Sequence, residues 1–271
     1  MNLMRAPARL FVNGVALWSQ RLPGWDRARK ILAGLEPAPQ ENAPRPAPEL
    51  LPPTERRRAP DTVSVAMEAA LAACKFAQLP PSSLPCVFSS MHGDLAITDY
   101  MCATMASTPT LVSPTKFHNS VHNAAAGYWT IAAECTRPYT SLSAGDFSFG
   151  AGLLETCVQA LTGEENVLLV AYDIDARGPL APVAASKGLL SVGLIVSPRR
   201  GPQALAQVML EVLSGAELTP SRARPENAVL VAGNSTESCL PFIEALALGG
   251  THDVLCLATP TLGLALHVEA L

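Results

Sequence analysis

Val63, Met67, Ala70, Cys74 and Ala77 recur at helical spacing, so the chain from Asp61 to the Pro80-Pro81 pair reads as an amphipathic helix with Asp61 as its N-cap. Cys86-Val87-Phe88-Ser89-Ser90 follows as a short buried strand, and His92-Gly93-Asp94 as the turn into a helix over Leu95 to Met105. A polar loop from Ser113 runs into an Ala/Gly-rich helix at Asn123 to Gly127. Its small residues let another backbone approach, which predicts a central position. Tyr139 to Ser143 reads as a strand, Ala144 to Gly150 as a sharp turn, and Phe149 to Leu161 as a helix apolar on nearly every face. Val167 to Tyr172 and Leu189 to Val196 add two β-rich runs. In the tail, the pattern predicts a helix over Ala204 to Leu213, a strand over Ala228 to Ala232, a helix over Glu237 to Leu248 and a strand over Asp253 to Ala258. This alternation predicts an α/β layered fold with a largely buried mixed sheet and no internal repeat.

The start of the chain differs. Leu10-Phe11-Val12 reads as a strand, but Glu36 to Pro60 holds eight prolines, which remove backbone donors and favour extended chain. That tract is expected to be a surface loop or linker, and its Glu55-Arg56-Arg57-Arg58 end a solvated or ion-paired run or a patch for an acidic partner. The start, Met1 to Val15, is interrupted by Asn13 and Gly14 and is not read as a signal peptide. The remaining apolar runs are too short for a membrane span.

Composition narrows the function classes. Acidic residues number 23 against 19 basic ones, which leaves no overall electrostatic footprint for nucleic acid. The seven cysteines are scattered without a CxxC or a Cys-His cluster, so they read as reduced packing residues and point to the cytoplasm. No cofactor or metal site is indicated. His118 and His122 sit four apart beside Asn119 and Asn123, but no third ligand accompanies them.

The strand, turn and helix over Ser141 to Leu161 are the most informative constellation, because such a turn holds its apex over a helix N-terminus where an anion or thiolate is favoured. Here the apex is Asp146, beside Gly145, and a helix-capping role already explains a carboxylate there. Asp146-Phe147-Ser148-Phe149-Gly150 also approximates the GxSxG elbow of serine hydrolases. Aspartate replaces the first glycine, and Asp253 with His267 completes a triad only by count.

The segments Thr54 to Asp61, Ser113 to Gly127 and Ser141 to Gly150 resemble the N-terminal half of a β-ketoacyl synthase of the thiolase superfamily. The likeness runs over about residues 10 to 198, and it is nearest to the short ketoacyl-synthase-like proteins of aryl polyene-type pathways. It implies a thiolase-like domain over 1–198, with the Pro-rich insertion at 36–60, and an α/β extension over 199–271 packed on the same sheet. The Asn123 and Phe149 helices are expected in the buried layer. The family's nucleophilic cysteine falls on Asp146, which cannot form an acyl thioester, and neither His252 nor His267 sits in a motif matching the family's two histidines. Cys135 and Cys157 fall on buried helices with no base nearby.

The resemblance therefore implies a non-condensing subunit of the chain-length-factor type. It would pair with a full-length ketoacyl synthase and meet an acyl carrier protein, with Phe147, Ser148 and Phe149, and further Met105 or Tyr128, lining an acyl tunnel. His118, Asn119, His122 and Asn123 would lie near the dimer interface. Two alternatives stay open: a structural homodimer without acyl binding, and a malonyl-thioester decarboxylating subunit using Asp146.

Overall fold

A computed structural model describes residues 7–271; the first six residues of the Met1 to Val15 start lie outside it. One eight-stranded sheet organises the chain in the order β3-β2-β4-β5-β1-β6-β8-β7. Its strands are β1 (Ala8–Ser19), β2 (Cys86–Ser89), β3 (Tyr139–Leu142), β4 (Val167–Asp173), β5 (Leu190–Ser197), β6 (Ala206–Ser214), β7 (Thr251–Thr259) and β8 (Leu262–Ala270). β2 runs parallel to both β3 and β4, with Cys86 beside Tyr139 and Leu168, and every other pairing is antiparallel. The sheet is mixed and flanked by helices, as the alternation predicts.

The helices are α1 (Trp25–Leu32), α2 (Pro53–Arg58), α3 (Asp61–Ala77), α4 (Leu95–Ser107), α5 (Pro114–Asn119), α6 (Ala124–Ala132), α7 (Ser148–Gly163), α8 (Pro225–Ala228) and α9 (Leu240–Leu248). The two faces of the sheet carry separate cores, because successive side chains of a strand point oppositely. Leu168, Val170 and Tyr172 of β4 pack with α3 and α6, whereas Val167, Leu169 and Ala171 pack with α1, α7 and α9. Alanines let α3 lie unusually close to the sheet. A Cβ on Gly193 would fall 2.4 Å from the Ala69 carbonyl oxygen, and one on Gly14 would fall 2.7 Å from that of Ala73, so those strand positions take glycine.

Several expectations are corrected. Asp61 is the first residue of α3, not its cap, and its carboxylate pairs with Arg45. The Pro-rich tract is loop apart from α2, and it is anchored by buried Leu51 and Ala59. Ala206 to Ser214 is a strand and not a helix. Ala206, Val208, Leu210 and Val212 alternate inward, and that period-two burial outweighs the helix propensity of Ala, Leu and Glu. Ala228 to Ala232 is the end of α8 and a turn, not a strand, because Pro225 and Gly233 bracket it. β8, which pairs with β6 along its whole length, has no counterpart in the predicted elements.

α6 is half-buried rather than central. Ala125, Ala126 and Trp129 cover the sheet, while Ile131 is 78% exposed on the far side. α7 is buried along one face only, with Val158 exposed. Cys135 lies in the turn after α6, not on a helix.

Candidate functional site

The parallel strands β2, β3 and β4 end at one rim of the sheet, and the sharp turn after β3 sits there. Gly145 adopts a left-handed backbone (φ 58°), which glycine takes without a Cβ penalty. The turn is held by serines. Ser148 Oγ accepts from the Ala144 N–H at 3.0 Å and donates to the Gly145 carbonyl at 2.6 Å. Ser89 Oγ donates to the Ser148 carbonyl, and Ser143 Oγ to that of Met91, each at 2.5 Å.

Asp146 does not cap α7. The cap position is Phe147, with no side-chain capping bond, and Asp146 is exposed with no hydrogen bond to its side chain among the described residues. The turn therefore presents a free carboxylate at its apex. Ser148 is buried and its hydroxyl is consumed by the turn. His267 instead contacts Asp253 (2.7 Å) and Glu269 (3.4 Å), so the Asp253–His267 pair forms but no Ser148–His267 contact completes a hydrolase triad. His252 Nε2 donates to the Gly249 carbonyl, 2.7 Å away.

A cavity of about 640 Å³ opens beside the elbow. Asp146, Phe147 and Phe149 form one wall, and the tail supplies the other through Val231, Leu240 and Leu255. Phe149 is also part of the closed core, at 1% exposure, while Phe147 is only partly covered. The tail makes this wall because β7 crosses the start of α7, where a Cβ on Gly150 would fall 2.0 Å from the Leu257 carbonyl oxygen. Cys256 is the one thiol lining the cavity, and burial pushes its pKa up to about 12; Cys157, deeper in α7, is pushed up to about 12 by burial and then by Cys256. Neither supplies a thiolate near neutral pH.

The four residues expected near an interface separate into distinct roles. His122 lies within 2.9 Å of the Ser90 carbonyl and 3.2 Å of Ser141 Oγ, and Asn123 donates to the Tyr139 hydroxyl at 3.0 Å. Both tie the turn before α6 to the edge strand β3. His118 is exposed with its ring edge-on to Tyr128, and Asn119 is buried. The two histidines thus hold different partners, and no group of three His, Cys, Asp or Glu side chains suited to a metal occurs among the described residues. Met105 is exposed on α4.

The reading of the sequence missed a buried network at the same rim. Asp173, at the end of β4, accepts from Ser90 Oγ (2.7 Å), from the Met91 N–H (3.1 Å) and from Thr236 Oγ1 (2.9 Å). Burial raises its pKa, opposed by these donors and by His92, whose two ring nitrogens are buried without a hydrogen-bond partner. The available signal is an aspartate closing the wholly apolar run Val167 to Tyr172, since a buried carboxyl requires donors.

A mixed sheet covered by helices, with an elbow at the ends of its parallel strands, defines a thiolase-like α/β protein. The family model of the β-ketoacyl synthase N-terminal domain matches residues 31–249, and the chain belongs to that family. The match continues past residue 198 into the tail. Solved structures share the fold. One is a ketosynthase (ApeO) in complex with its chain length factor (ApeC) from Xenorhabdus doucetiae, where the matched chain has 20% identity and a TM-score of 0.70 over 95% of this chain and 98% of that one. The ishigamide ketosynthase/chain length factor matches at 14% identity and a TM-score of 0.70, over 97% and 100%. A β-ketoacyl synthase from Burkholderia phymatum matches at 12% and 0.67, over 97% and 100%. No curated protein matches. No helix among the described residues is long and apolar enough to cross a membrane.

Proposed function

We propose that this chain is a non-condensing ketosynthase-like subunit of the chain-length-factor type, which pairs with a full-length ketoacyl synthase in the cytoplasm and serves an aryl polyene-like or related polyketide pathway. The observation that carries the reading is Asp146, a free carboxylate at the elbow apex of a ketosynthase fold. A carboxylate there forms no acyl thioester, so the chain elongates nothing alone and acts through a partner that has the nucleophile.

The pairing surface follows from the unpaired edge of β3 and from the helices beside it. Phe117 (63% exposed), Val121 (50%) and Ile131 lie outward on or beside α5 and α6, and Met105 on α4 and Leu111 in the short turn after it are exposed as well. Large apolar side chains left exposed on neighbouring elements favour burial against a second protein. In the paired state the partner's growing chain, delivered by an acyl carrier protein, would be limited by side chains at this face and by Phe147 at the elbow. Phe149 is too deeply packed to act as an independent gate.

The test is native mass of the purified chain alone and mixed with the full-length ketoacyl synthase encoded beside it. A one-to-one complex that Phe117→Asp disrupts is the expected result, followed by a broadened product profile in Phe147→Ala. A homodimer that ignores the synthase overturns the proposal in favour of a structural role.

A further inference from the structure

Six of the seven cysteines are buried, and they divide between the two faces of the sheet. Cys157, Cys239 and Cys256 belong to the core beneath α1, α7 and α9, whereas Cys74, Cys86 and Cys135 belong to the core beneath α3 and α6. Within the second group two thiols converge on one oxygen. Cys86 Sγ donates to the Leu84 carbonyl at 3.1 Å, and Cys135 Sγ donates to the same carbonyl at 3.4 Å. The two thiols also lie within hydrogen-bonding reach of each other.

The backbone brings them together from positions far apart in sequence. Cys86 opens β2, and its N–H donates to the Pro138 carbonyl at 3.1 Å; Cys135 lies in the turn that leads from α6 to Pro138 and β3. Because that turn belongs to no helix or strand, it can bring the sulfurs to the ~2.0 Å of a disulfide without breaking a strand ladder. Access to the pair is one-sided. Cys86 is wholly buried, while Cys135 is 7% exposed between the exposed Glu134 and Thr136, an opening that suits a small oxidant and not an aromatic reagent.

We propose that Cys135 and Cys86 form a peroxide-sensing thiol pair that closes reversibly into a disulfide. In the first step the Cys135 sulfur attacks one oxygen of hydrogen peroxide. The O–O bond breaks, Cys135 becomes a sulfenic acid, and the second oxygen leaves as water with the Cys135 thiol proton. In the second step the Cys86 sulfur displaces the hydroxyl from the Cys135 sulfur, so that the S–S bond forms, the S–O bond breaks and the hydroxyl departs as water with the Cys86 proton. Two thiols lose two electrons in all, and one peroxide is reduced to two waters. Burial pushes the Cys86 thiol up from its ordinary pKa, which suits it to the resolving step and not to the first attack. The bond would enclose residues 86–135, the stretch that carries α4, α5 and α6, and so restrain the unfolded chain across that whole region. The pair requires neither the elbow nor a synthase partner.

The test is treatment of the full-length Cys102→Ser chain, which keeps six thiols, with hydrogen peroxide at a dose that fully oxidises Cys102 in the wild type. Thiols counted after denaturation are expected to fall from six to four, peptide mass mapping to show one bridge joining Cys86 to Cys135, and dithiothreitol to restore all six. Adding Cys86→Ser should leave a sulfenic acid at Cys135 that dimedone traps, whereas adding Cys135→Ser should leave the five remaining thiols intact. Six thiols surviving the peroxide, a bridge that uses Cys74 or joins two chains, or loss of two thiols in the Cys135→Ser variant overturns the proposal.

Discussion

Gly150 and Leu257 touch backbone to backbone: a Cβ on Gly150 would lie 2.0 Å from the Leu257 carbonyl oxygen and 3.1 Å from the Ala258 nitrogen. This contact fastens the tail strand β7 to the first turn of α7, and it fixes the elbow cavity as a compartment shared by the family core and the tail.

Gly150→Ala is therefore expected to destabilise the fold by about 3 kcal/mol, because neither backbone has room to retreat. Gly152→Ala should cost less, since its nearest obstacle is the small Ser89 side chain at 2.8 Å. Denaturant melts of the two variants check the order, and equal costs would refute the tight backbone contact.

The two aspartates placed before helices should behave differently. Asp94 caps α4 through the Ile97 N–H, and its replacement by Ala should cost about 1 kcal/mol. Asp146 makes no capping bond, so Asp146→Ala should change stability by less than about 0.5 kcal/mol. A cost at Asp146 matching that at Asp94 would restore the capping role.

Thiol accessibility gives a direct count. Of the seven free cysteines only Cys102 is exposed, and burial holds Cys74, Cys157 and Cys256 near a pKa of about 12. Titration of the native chain with an aromatic disulfide at pH 8 should modify one thiol, and Cys102→Ser should abolish that reaction. A fast-reacting thiol remaining in Cys102→Ser would point to an activated cysteine at the rim.

The β7–β8 hairpin should carry a pH-dependent increment of stability. His267 is raised above its ordinary pKa by its hydrogen bond to Asp253 and then by the Asp253 and Glu269 charges, against a lowering by burial. Because its folded pKa exceeds the unfolded one, this contribution is complete below the unfolded value of about 6.5 and fades as pH rises through the folded value. Melts of the wild type and His267→Gln should differ most in acid and converge in alkali; a difference that grows with pH would reverse the assignment.

The central layers were legible because their patterns are unambiguous. α3 shows in the spacing of Val63, Met67 and Ala70, and β4 in the unbroken run Val167 to Tyr172 bounded by turn residues. The tail was less legible. Ala206 to Ser214 contains strong helix formers, and only the alternation of Val208, Leu210 and Val212 with Gln207, Met209 and Glu211 marks it as a strand paired with β8. At the elbow, the sequence located the turn but not its fastening. Ser148 and Ser89 hold it through bonds between segments 59 positions apart, which no local pattern encodes. The Asp173 network shares that cause, since it gathers side chains from distant segments.

The sheet is armoured unequally. β4 and β5 are buried along their whole length between two helical layers, whereas β6, β8 and β7 bury one face and leave alternate residues partly open to water. Backbone amides of the first group open only when the whole fold does, while those toward the β7 edge open by local fraying. In deuterated solvent the chain would thus lose its protons as a gradient across one continuous sheet, and the wall that β7 lends to the elbow cavity would be its most yielding side.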